Sequence, residues 1–351
     1  MRNIISSLIV AVAVGITTQA GATEFIIQSG KKSASPLFAG EVVETLPLSR
    51  AVVAEITDDE ATRLSEAGFI VEKNEKVWLH PFQVEGAAPS DWPRKLIRAD
   101  VANRLPRGKG EGVTVCVVDS GVNGDHPMLK GKVVGGRNTE NPATPDDYSD
   151  PMGHGTPIAA LIAGKRTRGF TGVAPAARVY AVRALRENGS GTLSSVIEGL
   201  RACIGNSDVV SMSFGGAGTS QALAKALADV HAAGITLVAA AGNSGGSLTL
   251  PASHDNVVSV TSVNRESRIS RFTCRGPELD FAAPGEQIPV LGENGEAQRL
   301  SGTSFAAAFV AGVEAIRISR RMPALRARDL GFPRPEQGDG LIDAVTTAGG
   351  E

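Results

Sequence analysis

The stretch VTVCVVDSG, Val113 to Gly121, constrains the fold more than any other part of the chain. It is a continuous apolar, β-branched run that stops on Asp119, Ser120 and Gly121. A strand with one wet face alternates apolar and polar residues. A strand that does not alternate is buried on both faces, as a central strand of a helix-covered parallel sheet is. The same signature recurs in SDVVSMSFGG, ITLVAAAGN and VVSVTSV, and ARVYAVRAL also reads as strand. Helical segments stand between them: GHGTPIAALIAG, TLSSVIEGLRACIG and the amphipathic SQALAKALADVHAAG, which ends on a glycine stop. Strands alternating with helices predict an α/β domain over residues 111–351, a doubly wound, mainly parallel sheet with helices on both faces. Such sheets bind ligands beyond the carboxyl ends of their strands, where Asp119, Ser213 and Asn243 fall.

The preceding residues divide differently. Arg2, the apolar run Ile4 to Ile16 and the small-residue site Ala20-Gly21-Ala22 predict a signal peptide over residues 1–22. The run is short for a bilayer span, so export without a retained anchor is expected, to the periplasm or the medium. Residues 23–85 have a strand–helix–strand rhythm. RAVVAEI is strand-like, Thr57 with Glu60 three residues later signals a helix start, Gly68 a stop, and Phe69 to Leu79 a single returning strand. An α+β unit this small is marginal alone and is expected to lean on a partner surface. Residues 86–110 read as a processing linker and an entry segment.

The chain has 351 residues, 42% hydrophobic and 21% charged, with a formal net charge of −2. No electrostatic pull toward nucleic acid or anionic membrane follows. The three cysteines, Cys116, Cys203 and Cys274, allow one disulfide and leave at least one thiol. Their pairing stays open, and the buried run around Cys116 suits an inert core thiol. No Cys/His spacing suggests zinc.

Four residues could carry chemistry. Asp119 ends a buried strand, His154 sits between two glycines before a helix, Asn243 follows another buried strand, and Ser304 opens a helix of small residues. Each has an ordinary explanation as cap, turn former or close-packing residue. A serine at a helix start also has a chemical one, because free N–H groups and the positive dipole end favour an oxyanion there.

Order and context combine the four. VVDSG, GHGTPIAALIAG, GVAPAARVYAVRAL, VVSMSFGG, VAAAGN, ELDFAAPG and SGTSFAAAFVAGV resemble the successive motifs of the subtilisin-like serine proteases, from about Trp92 to Ala348. The resemblance implies a nucleophile at Ser304, a general base at His154, a carboxylate at Asp119 that orients it, and an oxyanion donor at Asn243. Gly189, Ser190 and Gly191, with Ser213, Phe214 and Gly215, resemble the segments that pair with an extended substrate, Phe214 lining the primary pocket. The unit over 23–85 resembles the propeptide that inhibits many secreted members and assists their folding. Cleavage between Phe82 and Asp91 would then release a mature enzyme. Phe305, Ala308, Phe309 and Pro157 stand where the family commonly has Met, Pro, His and His, none of them at a chemical position.

The expected protein is therefore a secreted serine endopeptidase made as a zymogen. It acts on polypeptides as a monomer, without cofactor, and prefers uncharged apolar side chains weakly. Many members bind calcium in the loop that is here Gly164 to Gly172. Lys165, Arg166 and Arg168 would repel that ion, so no metal is expected there. Other classes of function are a non-catalytic binding protein on the same scaffold and an esterase-type hydrolase. The latter lacks the G-x-S-x-G elbow around Ser304.

Overall fold

The computed structural model describes residues 21–29, 41–86, 89–216, 218–292 and 294–350. Most of the expected signal peptide lies outside the described residues. The first unit contains β1 (Thr23–Ser29), β2 (Glu41–Leu46), β3 (Ala51–Ile56), α1 (Asp58–Glu66) and β4 (Phe69–Lys73). Its strands pair antiparallel in the order β2-β3-β1-β4. Thr57 caps α1 by accepting from the Glu60 N–H at 3.3 Å, and Asp58, Asp59 and Glu60 sit at the positive end of the helix.

Both faces of this small sheet are buried. Phe25, Ile27, Val52 and Ala54 pack on Ala61 and Leu64 of α1. Ile26, Leu46, Ala51 and Val53 join the apolar core of the larger unit. The unit leans on its neighbour through that second face.

The sequence predicts one strand from Phe69 to Leu79. Two form, in different sheets: β4, and then β5 (Lys76–Leu79). Asn74 makes the break. Its side chain donates to Glu24 (2.8 Å) and Ser194 (3.0 Å) and accepts from the Ser194 N–H (3.0 Å), so the chain turns off the first sheet onto the larger unit. The expected linker is also structured. It begins within β6 (Gln83–Gly86) and continues in α2 (Trp92–Leu96) and α3 (Ala99–Ala102). Ile97, Ala99 and Ala102 are core residues, and Arg98 grips the buried Asp343 carboxylate with two nitrogens at 2.8 and 2.9 Å.

The larger unit follows with β7 (Thr114–Asp119), β8 (Val133–Asn138), α4 (Gly155–Ala163), β9 (Arg178–Arg183), β10 (Ser190–Thr192), α5 (Leu193–Cys203), β11 (Val209–Met212), β12 (Phe214–Gly216) and α6 (Gln221–Ala232). Next come β13 (Thr236–Ala240), β14 (Val257–Val263), β15 (Phe281–Pro284), β16 (Ile288–Leu291), β17 (Ala297–Ser301) and α7 (Thr303–Arg320). The chain closes with β18 (Ala327–Arg328), α8 (Arg334–Gln337), β19 (Leu341–Ile342) and α9 (Ala344–Thr347). Nine strands make one sheet in the order β18-β19-β15-β14-β13-β11-β7-β9-β8, parallel except at the β18–β19 edge. α4 and α7 cover one face and α5 and α6 the other, in two apolar clusters. This is the expected doubly wound α/β arrangement.

Cys116 is not a free thiol. It bonds Cys203 across a Cα–Cα distance of 5.8 Å, and Cys274 is the buried free cysteine. β7 turns Cys116 toward the face that α5 covers, which brings the last residue of that helix within bonding range. Among the described residues no helix is long and apolar enough to cross a membrane, and no group of three or more His, Cys, Asp or Glu could hold a metal.

Candidate active site

β7 delivers Asp119 fully buried, and α4 starts immediately after His154. Gly155 makes the approach possible: a Cβ there would lie 2.1 Å from the Gly121 carbonyl and 3.1 Å from Asp119 Cβ. His154 Nδ1 lies 2.8 Å from Asp119 Oδ1, which also accepts the Ser120 N–H at 2.7 Å. With Nδ1 so engaged, Nε2 is the nitrogen left for proton transfer. It is buried and has no hydrogen-bond partner among the described residues. Ser304 lies in the first turn of the 18-residue α7, and its hydroxyl donates to the Ser213 carbonyl at 3.3 Å. The Ser304 hydroxyl therefore makes no hydrogen bond to His154 Nε2. The Phe82 ring lies over His154 at 4.8 Å between centroids, and Phe305 lies against the same imidazole at 5.7 Å. Phe305 is thus a wall of the site as well as a packing residue.

The orientation of Asn243 follows from its partners. Its Oδ1 accepts from the Thr303 N–H (2.9 Å) and hydroxyl (2.8 Å), which leaves the NH₂ group facing the cleft. That group donates to the carbonyl of Pro81 at 2.7 Å. Thr303 was not among the candidate residues, and neither was Asp150. Asp150 ends the acidic stretch PDDYSD, whose composition alone suits a solvated loop, but it is buried. It accepts from the Gly153 N–H (2.9 Å), the Thr156 N–H (2.8 Å) and hydroxyl (2.6 Å), and the Ser120 hydroxyl (2.7 Å). It clamps the start of α4 to the end of β7 and so fixes His154 relative to Asp119. The one available signal was an acid a few residues ahead of a helix start.

The cleft is occupied by the chain itself. β5 lies antiparallel between β10 and β12 as the middle strand of a three-stranded sheet. Trp78 is opposite Ser190 and Gly215, Val77 opposite Gly191 and Gly216, and Leu79 opposite Phe214. The Leu79 N–H donates to the Gly189 carbonyl (2.9 Å) and the His80 N–H to that of Ser213 (3.5 Å). All six residues expected to pair with an extended chain thus do so here with residues 77–80. Beyond Phe82 the same chain becomes β6, antiparallel to β17.

The first unit holds this arrangement at two helix ends. Glu72 accepts from Ser220, Gln221 and Ala222 at the start of α6, at 2.8–3.1 Å, and Asn74 accepts at the start of α5. Between β2 and α5, burial and the neighbouring Glu198 push the Glu44 carboxyl up to about 7.

Comparison with known proteins places this architecture. Residues 110–331 match the subtilase family. The chain belongs to the subtilase family. An intracellular serine protease of Paenibacillus polymyxa is 35% identical over 74% of this chain and 82% of its own length. Subtilisin DY of Bacillus licheniformis is 37% identical over 66% of this chain and 85% of its own. A thermostable alkaline protease of Halalkalibacterium halodurans is 35% identical over 76% and 72%. The chain is thus a subtilase, a serine endopeptidase of the subtilisin type.

Proposed function

We propose that this subtilase is an exported zymogen whose leading unit is an inhibitory propeptide and whose chemistry is carried by Asp119, His154, Ser304 and Asn243. The observation that carries this reading is the hydrogen bond from Asn243 Nδ2 to the Pro81 carbonyl, beside an imidazole already paired with Asp119. An amide donor aimed at a peptide carbonyl, next to a serine and an oriented histidine, is the equipment of acyl transfer.

Once the leading segment leaves, Ser304 Oγ turns from Ser213 to His154 Nε2 and attacks the scissile carbonyl. His154 takes the proton, Asp119 stabilises the imidazolium, and Asn243 Nδ2 with the Ser304 N–H holds the oxyanion. His154 returns the proton to the leaving amine, and water then hydrolyses the acyl-enzyme by the same route. The segment in the cleft resists this chemistry. The carbonyl at Asn243 belongs to Pro81, whereas the side chain in the adjoining pocket is that of His80, so the chain lies out of register for cutting. We place processing between Phe82 and Asp91. N-terminal sequencing of the active protein tests this, and full activity with a start at Thr23 would sink it.

Export is supported by the apolar run Ile4 to Ile16 with its small-residue site, by β1 starting at Thr23, and by the Cys116–Cys203 disulfide, which suits an oxidising compartment. A fluorophosphonate probe is expected to label Ser304 and casein to be hydrolysed, with both lost in Ser304→Ala. Labelling that survives Ser304→Ala, or ester turnover without casein turnover, contradicts the reading.

A further inference from the structure

The end of the large sheet away from the cleft carries a charge imbalance that the active site does not use. β7, β9 and β8 lie side by side and parallel. Asp119 is at their carboxyl ends. Their amino ends are joined by the loops that lead into Thr114, Val133 and Arg178 and by the loop that leaves α4. Lys109, Lys130, Lys132, Lys165, Arg166 and Arg178 stand at this end, Lys132 half-buried and the others exposed.

Hydrogen bonds tie these loops into one surface. The Lys109 carbonyl accepts from the Ala176 N–H at 2.8 Å. Lys132 Nζ donates to the Pro175 carbonyl and, at 3.3 Å, to that of Ala177, the residue before Arg178. Lys165 Nζ donates to the Lys130 carbonyl at 3.2 Å. Among the described residues none of the six cations forms an ion pair. The acids on the neighbouring loops are Glu111, Asp125 and Asp208. Glu111 accepts the Lys109 N–H at 3.1 Å and Asp208 the Thr114 N–H at 2.9 Å. β9 shows the contrast within one strand: Arg178 at its start has no ion pair, whereas Arg183 at its end meets Asp147 at 3.3 Å. Like charges also act on one another here. Burial and, after it, the Lys165 ammonium hold the Lys132 value below its ordinary range. The formal net charge of −2 hides the asymmetry. Residues 1–85 hold 7 of the 35 basic and 11 of the 37 acidic side chains, so the rest of the chain holds 28 and 26 and is net positive.

We propose that this face docks the protein on a bilayer rich in anionic lipid headgroups, with the cleft held outward. The proposal goes beyond the proposed function and shares with it only the exported location. A lipid surface suits the face better than nucleic acid does. Val134, 50% exposed on the edge strand β8, stands two residues from Lys132 and offers an apolar contact at the same edge. No exposed aromatic ring accompanies the six cations among the described residues, and single-stranded nucleic acid uses such rings for stacking. The two ends of β7 are about 17 Å apart, so a surface at one end leaves the other open to polypeptides.

Vesicle sedimentation tests this with the full chain carrying Ser304→Ala, for which no catalysis is needed. Vesicles of phosphatidylglycerol mixed with phosphatidylcholine are compared with phosphatidylcholine alone. Binding is expected to the anionic vesicles only, and to fall at least about tenfold between about 0.05 and 0.5 M salt. Each cation near an anionic surface is worth about fivefold in binding, so Lys130→Glu, Lys165→Glu and Arg178→Glu together should weaken it by at least about 100-fold. Arg265→Glu, Arg268→Glu and Arg271→Glu make the same change in net charge on exposed residues beyond the carboxyl end of β14. That triple should weaken binding by less than about fivefold. A milder pair, Lys165→Gln with Arg166→Gln, should weaken it by about 25-fold and replaces the first triple where that triple lowers Tm.

No binding to the anionic vesicles, equal binding to phosphatidylcholine alone, or equal losses in the two triples overturns the proposal. So does displacement from the vesicles by duplex DNA or by inorganic phosphate at constant ionic strength. In the active protein, anionic vesicles should leave kcat/KM on a short peptide within about twofold. A large loss would put the cleft against the surface and overturn the orientation. Vesicle binding as expected in a protein without peptidase activity counts against the proposed function alone.

Discussion

The leading segment holds the two halves of the cleft in different ways. On one side β5 is fixed by side chains as well as by its ladder, with Val77 and Leu79 buried and His80 in the pocket. On the other side all four residues of β6 are exposed, Val84 at 55%, and the strand is held through its backbone to β17. The first half can therefore discriminate among sequences. The second can only require an extended chain with free N–H groups. Backbone pairing gives affinity, and pockets for alternate side chains give specificity. This cleft separates the two contributions along a single strand path.

Where the halves meet, the chemistry should depend on one amide. Asn243→Ala is expected to lower kcat by about 10²–10³, measured on a peptide substrate with processed enzyme. A loss below about fivefold would remove the oxyanion role and leave only the contact to Pro81.

The next effect breaks the comparison directly. Val77→Asp or Leu79→Asp places a charge in an apolar pocket and forfeits about 1.5–3 kcal/mol of burial. The lag before casein activity appears should shorten by about tenfold or more. Val84→Thr on β6 should change the lag by less than about twofold. Equal effects on the two strands would show that side chains do not distinguish the halves.

A smaller effect is expected at the seam between β2 and α5. Glu44 faces Glu198, Glu24, Ser194 and Arg201, and burial raises its value to about 7. A raised carboxyl means that the docked form holds the proton. Docking is favoured on the acid side and weakens as pH rises through about 7. Activation should therefore accelerate between about pH 4.5 and pH 7 and level off above, and Glu44→Gln should flatten that rise. An unchanged profile in Glu44→Gln would assign the pH response elsewhere.

The smallest effect concerns metal. Lys165 and Arg168, in the loop from Gly164 to Gly172, donate to the carbonyls of Lys130 and Gly295. A chelator is expected to move Tm by less than about 2 °C. A drop of 10 °C would reveal a calcium site.

Much of the fold was legible because burial leaves periodic traces. Val113 to Val118 does not alternate because helices cover both faces of β7, and Thr57 with Glu60 marks a helix start through local bonds alone. β6 left no trace, since a strand with four exposed residues held by backbone has no side-chain pattern to detect. The break at Asn74 was hidden for another reason: its partners, Glu24 and Ser194, are far away in sequence. The role of Asp150 was hidden because an acidic loop and a buried clamp have the same composition.

By itself, the sequence determined the α/β class, the helix and strand faces, and the order in which Asp119, His154, Asn243 and Ser304 follow one another. These are properties of local pattern and chain order. Only the tertiary structure decided which way the Asn243 amide points, which cysteine Cys116 bonds, that Asp150 holds α4 to β7, and that residues 76–86 run through the cleft. Each depends on a partner tens to hundreds of residues away, chosen by packing geometry that no local periodicity records.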